Sequence, residues 1–259
     1  MGKYMNYNKL TFVASQTDEA QQALQELTST YGNVAAENAD VIIALGGDGF
    51  MLECLHKFNN CDIPIYGLNR GTIGFLMNEF SQTDLLQRLD VAEQHSVHPL
   101  KADIITMSGE THTVIAFNEV SMLRQTHQAA KLHISINQKA RLEELICDGI
   151  IVATPVGSTA YNLSAQGPII PINTPLIALT PISPFRPRSW RGALLPDSVS
   201  ISIKICDPEK RPVSAVADHQ EIRDISQIVI QQNKQDCATM LFDAKHGLEE
   251  RILREQFGY

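Results

Sequence analysis

The chain has 259 residues, a length that suits one large domain or two small ones, and 44% of them are hydrophobic, enough to bury a core. Its 29 acidic residues exceed its 21 lysines and arginines, giving a formal net charge of -8. This balance argues against global disorder and against a broad surface that neutralises nucleic-acid phosphates. Any nucleotide partner is therefore expected to be small and held in a local pocket.

Sequence features of membrane insertion and secretion are missing. No apolar run approaches the roughly 20 residues that a helix needs to cross a bilayer, and the first residues show no basic segment leading into an apolar signal core. The five cysteines are odd in number and form no CxxC pair, so neither a disulfide framework nor a zinc site is expected. These features predict a cytoplasmic protein without a membrane partner.

Residues 1–97 have the pattern of an α/β domain. Three short apolar runs have the composition of buried parallel strands: residues 9–14, 40–45 and 63–67. Helical patterns follow each run, with Thr17 and Ser81 placed to cap two of the helices and Gly32 placed after the end of the first. The alternation of strand and helix predicts an open, Rossmann-like parallel sheet.

Residues 98–235 alternate polar with apolar or β-branched side chains, the period of half-exposed antiparallel strands. They predict an all-β domain interrupted by one short helix near residues 158–165. In the last segment, residues 236–259, a helical pattern covers 247–257, where Leu248, Ile252 and Leu253 form an apolar stripe. This segment is expected to return to the first domain and pack on it.

A glycine-rich string follows the second predicted strand and begins a helix. Gly46, Gly47, Asp48 and Gly49 stand between residues 40–45 and an apolar helical stretch. Backbone N–H groups at such a turn bind phosphate, and glycines let a ligand approach the backbone closely. A carboxylate in a phosphate site is electrostatically unfavourable, so Asp48 needs a role of its own. It could deprotonate a substrate hydroxyl, coordinate Mg²⁺ through water, or cap the helix in an ordinary tight turn.

A second glycine-rich loop follows the third predicted strand. Gly71 and Gly74 bracket one β-branched turn, and the loop is expected at the same edge of the sheet as the first. Phe75 either walls a pocket for a base or ribose or packs in the core. The chain contains neither a GxGxxG dinucleotide motif nor a P-loop motif, so the standard fingerprints do not explain these glycines.

The string at residues 148–168 is the least ordinary stretch of the chain. After an apolar strand, a short run is crowded with hydrogen-bonding side chains: Ser158, Thr159, Tyr161, Asn162 and Ser164. Ser158 is placed to cap a short helix whose first turn would expose hydroxyl and N–H groups to a ligand. Tyr161 offers a flat face for stacking on a base. The alternative is a polar turn with a buried tyrosine.

Two further polar groups invite a functional interpretation. The pair Asn118 and Glu119 interrupts a strand-like stretch and could bind two ribose hydroxyls, although an edge-strand position would explain the pair without a ligand. Arg186, Arg188 and Arg191 form either a candidate phosphate clamp or a solvated, salt-bridged loop.

Together these blocks resemble the NAD kinase family, in chain order and over nearly the full length. The matching strings are GGDG at 46–49, NRGTIGFLMNEF at 69–80, NE at 118–119, DGIIVATPVGSTAYNLSAQGP at 148–168 and LTPISP at 179–184. GGDG alone is weak, since lipid kinases and phosphofructokinases carry similar strings, but its combination with GSTAYNLS is specific. The resemblance implies transfer of the γ-phosphate of ATP, with Mg²⁺ or another divalent cation, to the 2′-hydroxyl of the adenosine ribose of NAD.

The resemblance also implies roles for individual residues. Asp48 matches the family's proposed general base, and Gly46, Gly47 and Gly49 match its nucleotide-phosphate loop. The positions that match NAD contacts are Asn118, Glu119, Asp148, Thr159, Ala160, Tyr161, Asn162 and Ser164. The family further implies an α/β N-terminal domain, an all-β C-terminal domain, and a homodimer or homotetramer with sites near domain and subunit boundaries.

Two positions depart from the usual family pattern. Many relatives carry an SAGGP string, and Gln166 stands in place of its first glycine here. Many also carry a DGQ-like string, where this chain reads Asp218, His219 and Gln220, so that His219 stands in place of the glycine. His219 and Gln220 are candidates for contact with NAD, where His219 at the nicotinamide end would alter the preference between NAD and NADH. The alternative is an exposed loop histidine. The choice between ATP and polyphosphate as donor stays open.

Two other functions are compatible with parts of the sequence. A lipid kinase of the diacylglycerol type would share GGDG and the two-domain plan but would not explain GSTAYNLS. A non-catalytic module that senses NAD would need the polar residues at 158–164 but would not need a general base. The presence of Asp48 in its glycine loop argues against such a module.

Overall fold

The structure is a computed structural model that describes residues 7–59, 61–71 and 74–244. Two compact units divide the chain: one contains residues up to 97 together with those from 236 onward, and the other contains residues 98–235. None of the described helices is long and apolar enough to cross a membrane.

Seventeen strands and four α-helices occur in the described residues. The strands are β1 (Leu10–Ala14), β2 (Val41–Gly46), β3 (Ile65–Asn69), β4 (Glu93–Val97), β5 (Leu100–Thr106), β6 (Thr111–Ala116), β7 (Glu119–Arg124), β8 (Ala130–Ile136), β9 (Lys139–Cys147), β10 (Gly149–Ala153), β11 (Leu176–Ile182), β12 (Ala193–Pro196), β13 (Ile201–Ile205), β14 (Val213–Ala217), β15 (Gln220–Ile222), β16 (Ile225–Gln232) and β17 (Ala238–Phe242). The helices are α1 (Asp18–Tyr31), α2 (Asp48–Lys57), α3 (Leu85–Asp90) and α4 (Tyr161–Ser164).

The first unit is built on a five-stranded sheet in the order β1-β2-β3-β17-β4. The first four of these strands run parallel, and β4 is antiparallel to β17. Every residue of β2 is buried, as expected of a parallel strand covered on both faces. The three predicted strands and the parallel sheet are therefore confirmed.

The predicted return of the chain to this sheet is also confirmed, because β17 pairs with β3 on one side and β4 on the other. The helix predicted at residues 247–257, with its apolar residues Leu248, Ile252 and Leu253, lies outside the described residues.

Gly32 is the C-cap of α1, as predicted, but the N-terminal caps differ from the sequence predictions. Thr17 occupies the N-cap position of α1, but its side chain makes no capping hydrogen bond. Helix α3 begins after Asp84 rather than after Ser81, whose hydroxyl instead bonds to the carbonyl of Thr83 at 3.2 Å. A serine hydroxyl competes in this way for nearby backbone groups, so Ser81 forms a local turn and the helix starts later.

The second unit consists of two six-stranded antiparallel sheets, in the orders β12-β11-β10-β7-β14-β15 and β6-β5-β16-β13-β8-β9. Burial alternates along strands such as β13, and apolar residues from both sheets form one shared core. The all-β prediction is confirmed. Strand β9 carries the charged string KARLEELIC, and its position at a sheet edge leaves most of those side chains exposed.

The stretch containing Asn118 and Glu119 is two strands rather than one. Strand β6 belongs to one sheet and β7 to the other, and the chain crosses between them at Phe117 and Asn118. The polar pair therefore marks the point where the chain changes sheets, which accounts for the interrupted pattern. The predicted helix near 158–165 is a 3₁₀ turn at Val156–Thr159 followed by α4.

Candidate active site

The first glycine-rich turn lies at the carboxyl end of β2. Gly46 ends the strand, Gly47 is the extended N-cap residue of α2, and Asp48 is the first residue of the helix. A Cβ added to Gly47 or Gly49 would meet none of the described residues within 4 Å, whereas one added to Gly46 would overlap the Phe50 side chain. The N–H groups of a first helical turn lack partners within the helix, an arrangement that favours the binding of anions such as phosphate.

The Asp48 carboxylate is held by the second glycine-rich loop. Its Oδ2 accepts a hydrogen bond from the Phe75 N–H at 2.7 Å, and its Oδ1 accepts one from the Leu76 N–H at 2.9 Å. Asp48 is the first residue of α2 rather than its N-cap, which is Gly47, and each of its carboxylate oxygens bonds to the second loop. Two backbone donors fix the orientation of the carboxylate, whose two oxygens together can accept about four hydrogen bonds.

The two glycine-rich loops lie side by side, as the sequence predicts. The Arg70 N–H donates to the Gly46 carbonyl at 2.7 Å, and a Cβ on Gly71 would lie 3.8 Å from the Gly47 Cα. A Cβ on Gly74 would overlap the Asp48 carboxylate. Gly74 thus makes room for that carboxylate, a role that the sequence did not reveal because it depends on a contact between distant residues. The Phe75 side chain is half-buried.

In the second unit, the turn that carries Asn118 and Glu119 is held by Asp218. The Asp218 carboxylate accepts hydrogen bonds from the N–H groups of Phe117, Asn118 and Glu119, at 2.7, 3.0 and 3.2 Å. Asp218 itself has a φ of 51° in the turn between β14 and β15. The sequence singled out its neighbour His219 but missed Asp218, although aspartate is a residue type that readily takes this backbone conformation.

Two oxygens of this turn are buried and lack a hydrogen bond among the described residues: Asn118 Oδ1 and Glu119 Oε2. Burial, and after it the negative charge of Asp218, raise the pKa of the Glu119 carboxyl to about 7. Leaving buried acceptors unpaired costs free energy, so these two oxygens are available to water or to a ligand. Hydroxyl groups of a ligand would satisfy both oxygens.

Residues after β10 pack tightly against the same turn. The Thr154 hydroxyl donates to the Phe117 carbonyl at 2.6 Å and accepts the Gly157 N–H at 3.1 Å. A Cβ on Gly157 would overlap the Asn118 carbonyl. Thr154 was not identified from the sequence, where it reads as the last residue of an apolar strand.

Ser158 and Asn162 differ from their predicted placement, because both side chains are fully buried. The Ser158 hydroxyl donates to the Pro155 carbonyl at 2.6 Å and accepts the Ile170 N–H at 2.9 Å, so the prediction that it caps a helix is wrong. The Asn162 amide donates to the carbonyls of Ser158 and Pro168 and accepts the Thr180 hydroxyl. Both side chains support the turn from inside.

Tyr161 lies near the two acidic residues of this region. Its pKa is raised by burial first and then by the charges of Glu119 and Asp148, while its ring is half-buried against a small apolar cluster. Asp148 pairs with Arg124, whose Nε lies 2.6 Å from Oδ1. Thr159 and Ala160 are half-buried, and Ser164 is exposed.

The remaining predicted residues lie at the surface. His219 and Gln220 are exposed in the β14–β15 hairpin. Gln166 has a φ of 64°, which explains why a glycine suits this position. The guanidinium groups of Arg186 and Arg188 lie 5.7 and 5.0 Å from the centre of the exposed Phe185 ring.

Solved structures share this fold. The crystal structure of yeast NADH kinase complexed with NADH aligns with a TM-score of 0.84 over 98% of this chain and 89% of that chain, at 23% identity. The crystal structure of an NAD kinase from Archaeoglobus fulgidus in complex with ATP aligns with a TM-score of 0.77 over 96% of this chain and 98% of that chain, also at 23% identity. At this identity the likeness establishes the fold, which is the NAD kinase fold.

Sequence comparison gives the family. Residues 2–96 match the ATP-NAD kinase N-terminal domain, and residues 117–233 match the ATP-NAD kinase C-terminal domain. The NAD kinase of Caulobacter vibrioides is 55% identical over 249 residues, 96% of each chain, and that of Rhizobium meliloti is 51% identical over 251 residues, 97% of this chain and 98% of the relative. The chain therefore belongs to the NAD kinase family, enzymes that phosphorylate NAD to NADP with ATP. The lipid-kinase alternative does not hold.

Glu119 makes the stability of the ligand-free protein depend on pH. Because its pKa rises from 4.5 in the unfolded chain to about 7 in the fold, ionising it destabilises the folded state progressively between those pH values. We expect Glu119→Gln to be more stable than the parent by about 1–3 kcal/mol at pH 8, with the gain vanishing towards pH 4.5. Urea denaturation across this range measures the difference, with the exposed Glu37→Gln as control. A gain that stays constant with pH would contradict the assignment.

Proposed function

We propose that this chain transfers the γ-phosphate of ATP to the 2′-hydroxyl of the adenosine ribose of NAD, with Asp48 as the general base. The observation that carries the proposal is the Asp48 carboxylate, fixed by the Phe75 and Leu76 N–H groups beside an open glycine turn. A secondary hydroxyl is a weak nucleophile until a positioned base accepts its proton. The Asp48 carboxylate supplies that acceptor.

The phosphate-binding part of the proposal rests on the start of α2. Gly47 and Gly49 carry no side chain over the backbone, and the N–H groups of the first helical turn would donate to phosphate oxygens. Gly46, which ends β2, is buried beneath the Phe50 side chain and would act through the shape of the turn. Holding donor and acceptor in line supplies most of the acceleration in phosphoryl transfer. Inorganic polyphosphate offers the same chain of phosphate groups, so assays with ATP and polyphosphate in parallel would test the donor.

The residues present fit a divalent cation that arrives with the nucleotide. Among the described residues no group of three His, Cys, Asp or Glu side chains could hold a metal ion. Mg²⁺ commonly keeps several waters and binds through one or two carboxylates plus substrate phosphates. Substrate phosphates would hold the cation, and Asp48 would contact it through a bound water, which keeps the carboxylate able to accept a proton. The cation would neutralise charge on the transferred phosphate.

The NAD-binding part of the proposal rests on the unpaired buried oxygens of the second unit. Asn118 Oδ1 and Glu119 Oε2 would accept hydrogen bonds from ribose hydroxyls, and Tyr161 would stack on a base. Other residues proposed to line this site are Phe75, Asp148, Thr159, Ala160, Ser164, His219 and Gln220. Ser158 and Asn162 are proposed to act indirectly, since their side chains are consumed by internal hydrogen bonds.

Removing the charge of Asp48 tests the general base. An asparagine side chain would keep the shape of the aspartate but offer one carbonyl acceptor in place of a carboxylate. We expect Asp48→Asn to lower kcat for NADP formation at least about 10²-fold, with NAD affinity changed little. Steady-state assays measure kcat, and calorimetric titration with NAD measures affinity. Circular dichroism and thermal melting serve as folding controls, and a folded variant with near-parental turnover would remove Asp48 from this role.

Tyr161 tests the stacking contact. We expect Tyr161→Ala to weaken NAD binding by about 1–3 kcal/mol, because the ring no longer covers a base, and Tyr161→Phe to lose much less. The two variants are compared by titration with NAD and by thermal melting. Small and equal effects on affinity, together with a large fall in melting temperature, would show that the ring only packs in the apolar cluster.

We also propose that the active form is a homodimer or homotetramer. Each sheet of the second unit ends in edge strands, and β9 and β15 expose most of their side chains there. Exposed edges favour pairing with another chain, and a self-complementary contact yields two-fold symmetry. Light scattering is expected to show two or four copies of the 28.7 kDa chain, with specific activity falling on dilution. A fully active monomer at every concentration would contradict this.

A further inference from the structure

The loop that holds Asp48 is itself anchored by Asn78. Asn78 lies two residues after Leu76, and it is fully buried. Its N–H donates to the Gly67 carbonyl at 2.8 Å, and its carbonyl accepts the Asn69 N–H at 2.8 Å. The loop is therefore joined to β3 by a short parallel bridge.

The Asn78 side chain ties the same point to the end of β17. Its Nδ2 donates to the Leu241 carbonyl at 3.0 Å, and its Oδ1 accepts the Asp243 N–H at 3.0 Å. Both ends of the amide are thus engaged with the end of one strand. An asparagine side chain supplies the donor and the acceptor that this arrangement requires, and most other residue types lack one of them.

A second set of contacts holds Asp243, the residue whose N–H donates to the Asn78 side chain. The Asp243 carboxylate accepts the Tyr66 hydroxyl at 2.6 Å and lies 2.6 Å from Nη2 of Arg88. The same Arg88 nitrogen donates to the Glu79 carbonyl at 2.7 Å, next to Asn78. Strand β3, helix α3 and the end of β17 therefore all hold the loop within a few residues of the Phe75 and Leu76 N–H groups.

We propose that Asn78 is a positioning residue for Asp48, acting through the loop that donates to its carboxylate. The proposal rests on the proposed role of Asp48 as general base. Displacing Asn78 would shift the N–H groups of Phe75 and Leu76, since only a few bonds separate them. A base misplaced by an ångström loses much of its effect, so the amide contacts of Asn78 support turnover as well as stability.

Kinetics of Asn78→Ala, measured on the full chain, separate positioning from stability. The variant leaves the Leu241 carbonyl and the Asp243 N–H without their partner. We expect kcat to fall about 10- to 100-fold, while KM for NAD and for ATP changes by less than about threefold. Leu27→Ala, a core truncation in α1 that removes none of the hydrogen bonds to the loop, is the destabilised control and is expected to retain kcat. Equal kcat in the two variants would overturn the proposal.

The double variant shows whether Asn78 acts through Asp48. In the Asp48→Asn background, Asn78→Ala is expected to lower kcat no further, because the base that it positions is already gone. Multiplying effects would overturn the proposal. If Asp48→Asn alone keeps its turnover, the general-base role fails independently of Asn78.

Should Asn78→Ala not fold, Asn78→Ser, which keeps one hydroxyl, is compared with Leu27→Ala in its place.

Discussion

Both parts of the proposed site depend on the same interaction, an aspartate carboxylate that accepts hydrogen bonds from consecutive backbone N–H groups. Asp48 binds the N–H groups of Phe75 and Leu76, and Asp218 binds those of three residues from Phe117 onward. Charge-assisted bonds of this kind are stronger than bonds between neutral groups. Each carboxylate therefore helps to fix an irregular turn, together with the other contacts that hold the same segment.

Asp218 also determines the electrostatics of the turn that it holds. Its negative charge adds to burial in raising the pKa of Glu119. The ionised carboxylate, which is the form proposed to accept a hydrogen bond from a ribose hydroxyl, is therefore unfavourable in the ligand-free protein. Other contacts hold the turn in place in spite of this cost. The Thr154 hydroxyl donates to the Phe117 carbonyl, and Gly157 packs closely against the backbone of Asn118. A pre-organised but unsatisfied pair of acceptors gains more from a ligand than a flexible, hydrated pair would.

Local sequence pattern predicted the elements well where burial has a regular period. The fully apolar β2, the glycine turn after it and the alternating β13 all follow from residue spacing. Side-chain roles that depend on distant partners did not follow. Ser158 and Asn162 look like ligand-binding groups in sequence, yet Pro155, Ile170, Pro168 and Thr180 consume their hydrogen bonds. Asp218 was overlooked because its three partners lie about a hundred residues earlier.

The position of β17 links the loop that holds Asp48 to the completion of the first sheet. This strand lies inside the first sheet, between β3 and β4, although residues 98–235 precede it in the chain. The first sheet is therefore completed by a strand that follows the second unit in the chain, a pairing of high sequence separation. Asn78 takes both partners of its amide from β17 and the residue after it. The loop that orients Asp48 thus takes one of its anchors from a strand at the far end of the chain, which makes the geometry of the proposed base depend on the complete sheet.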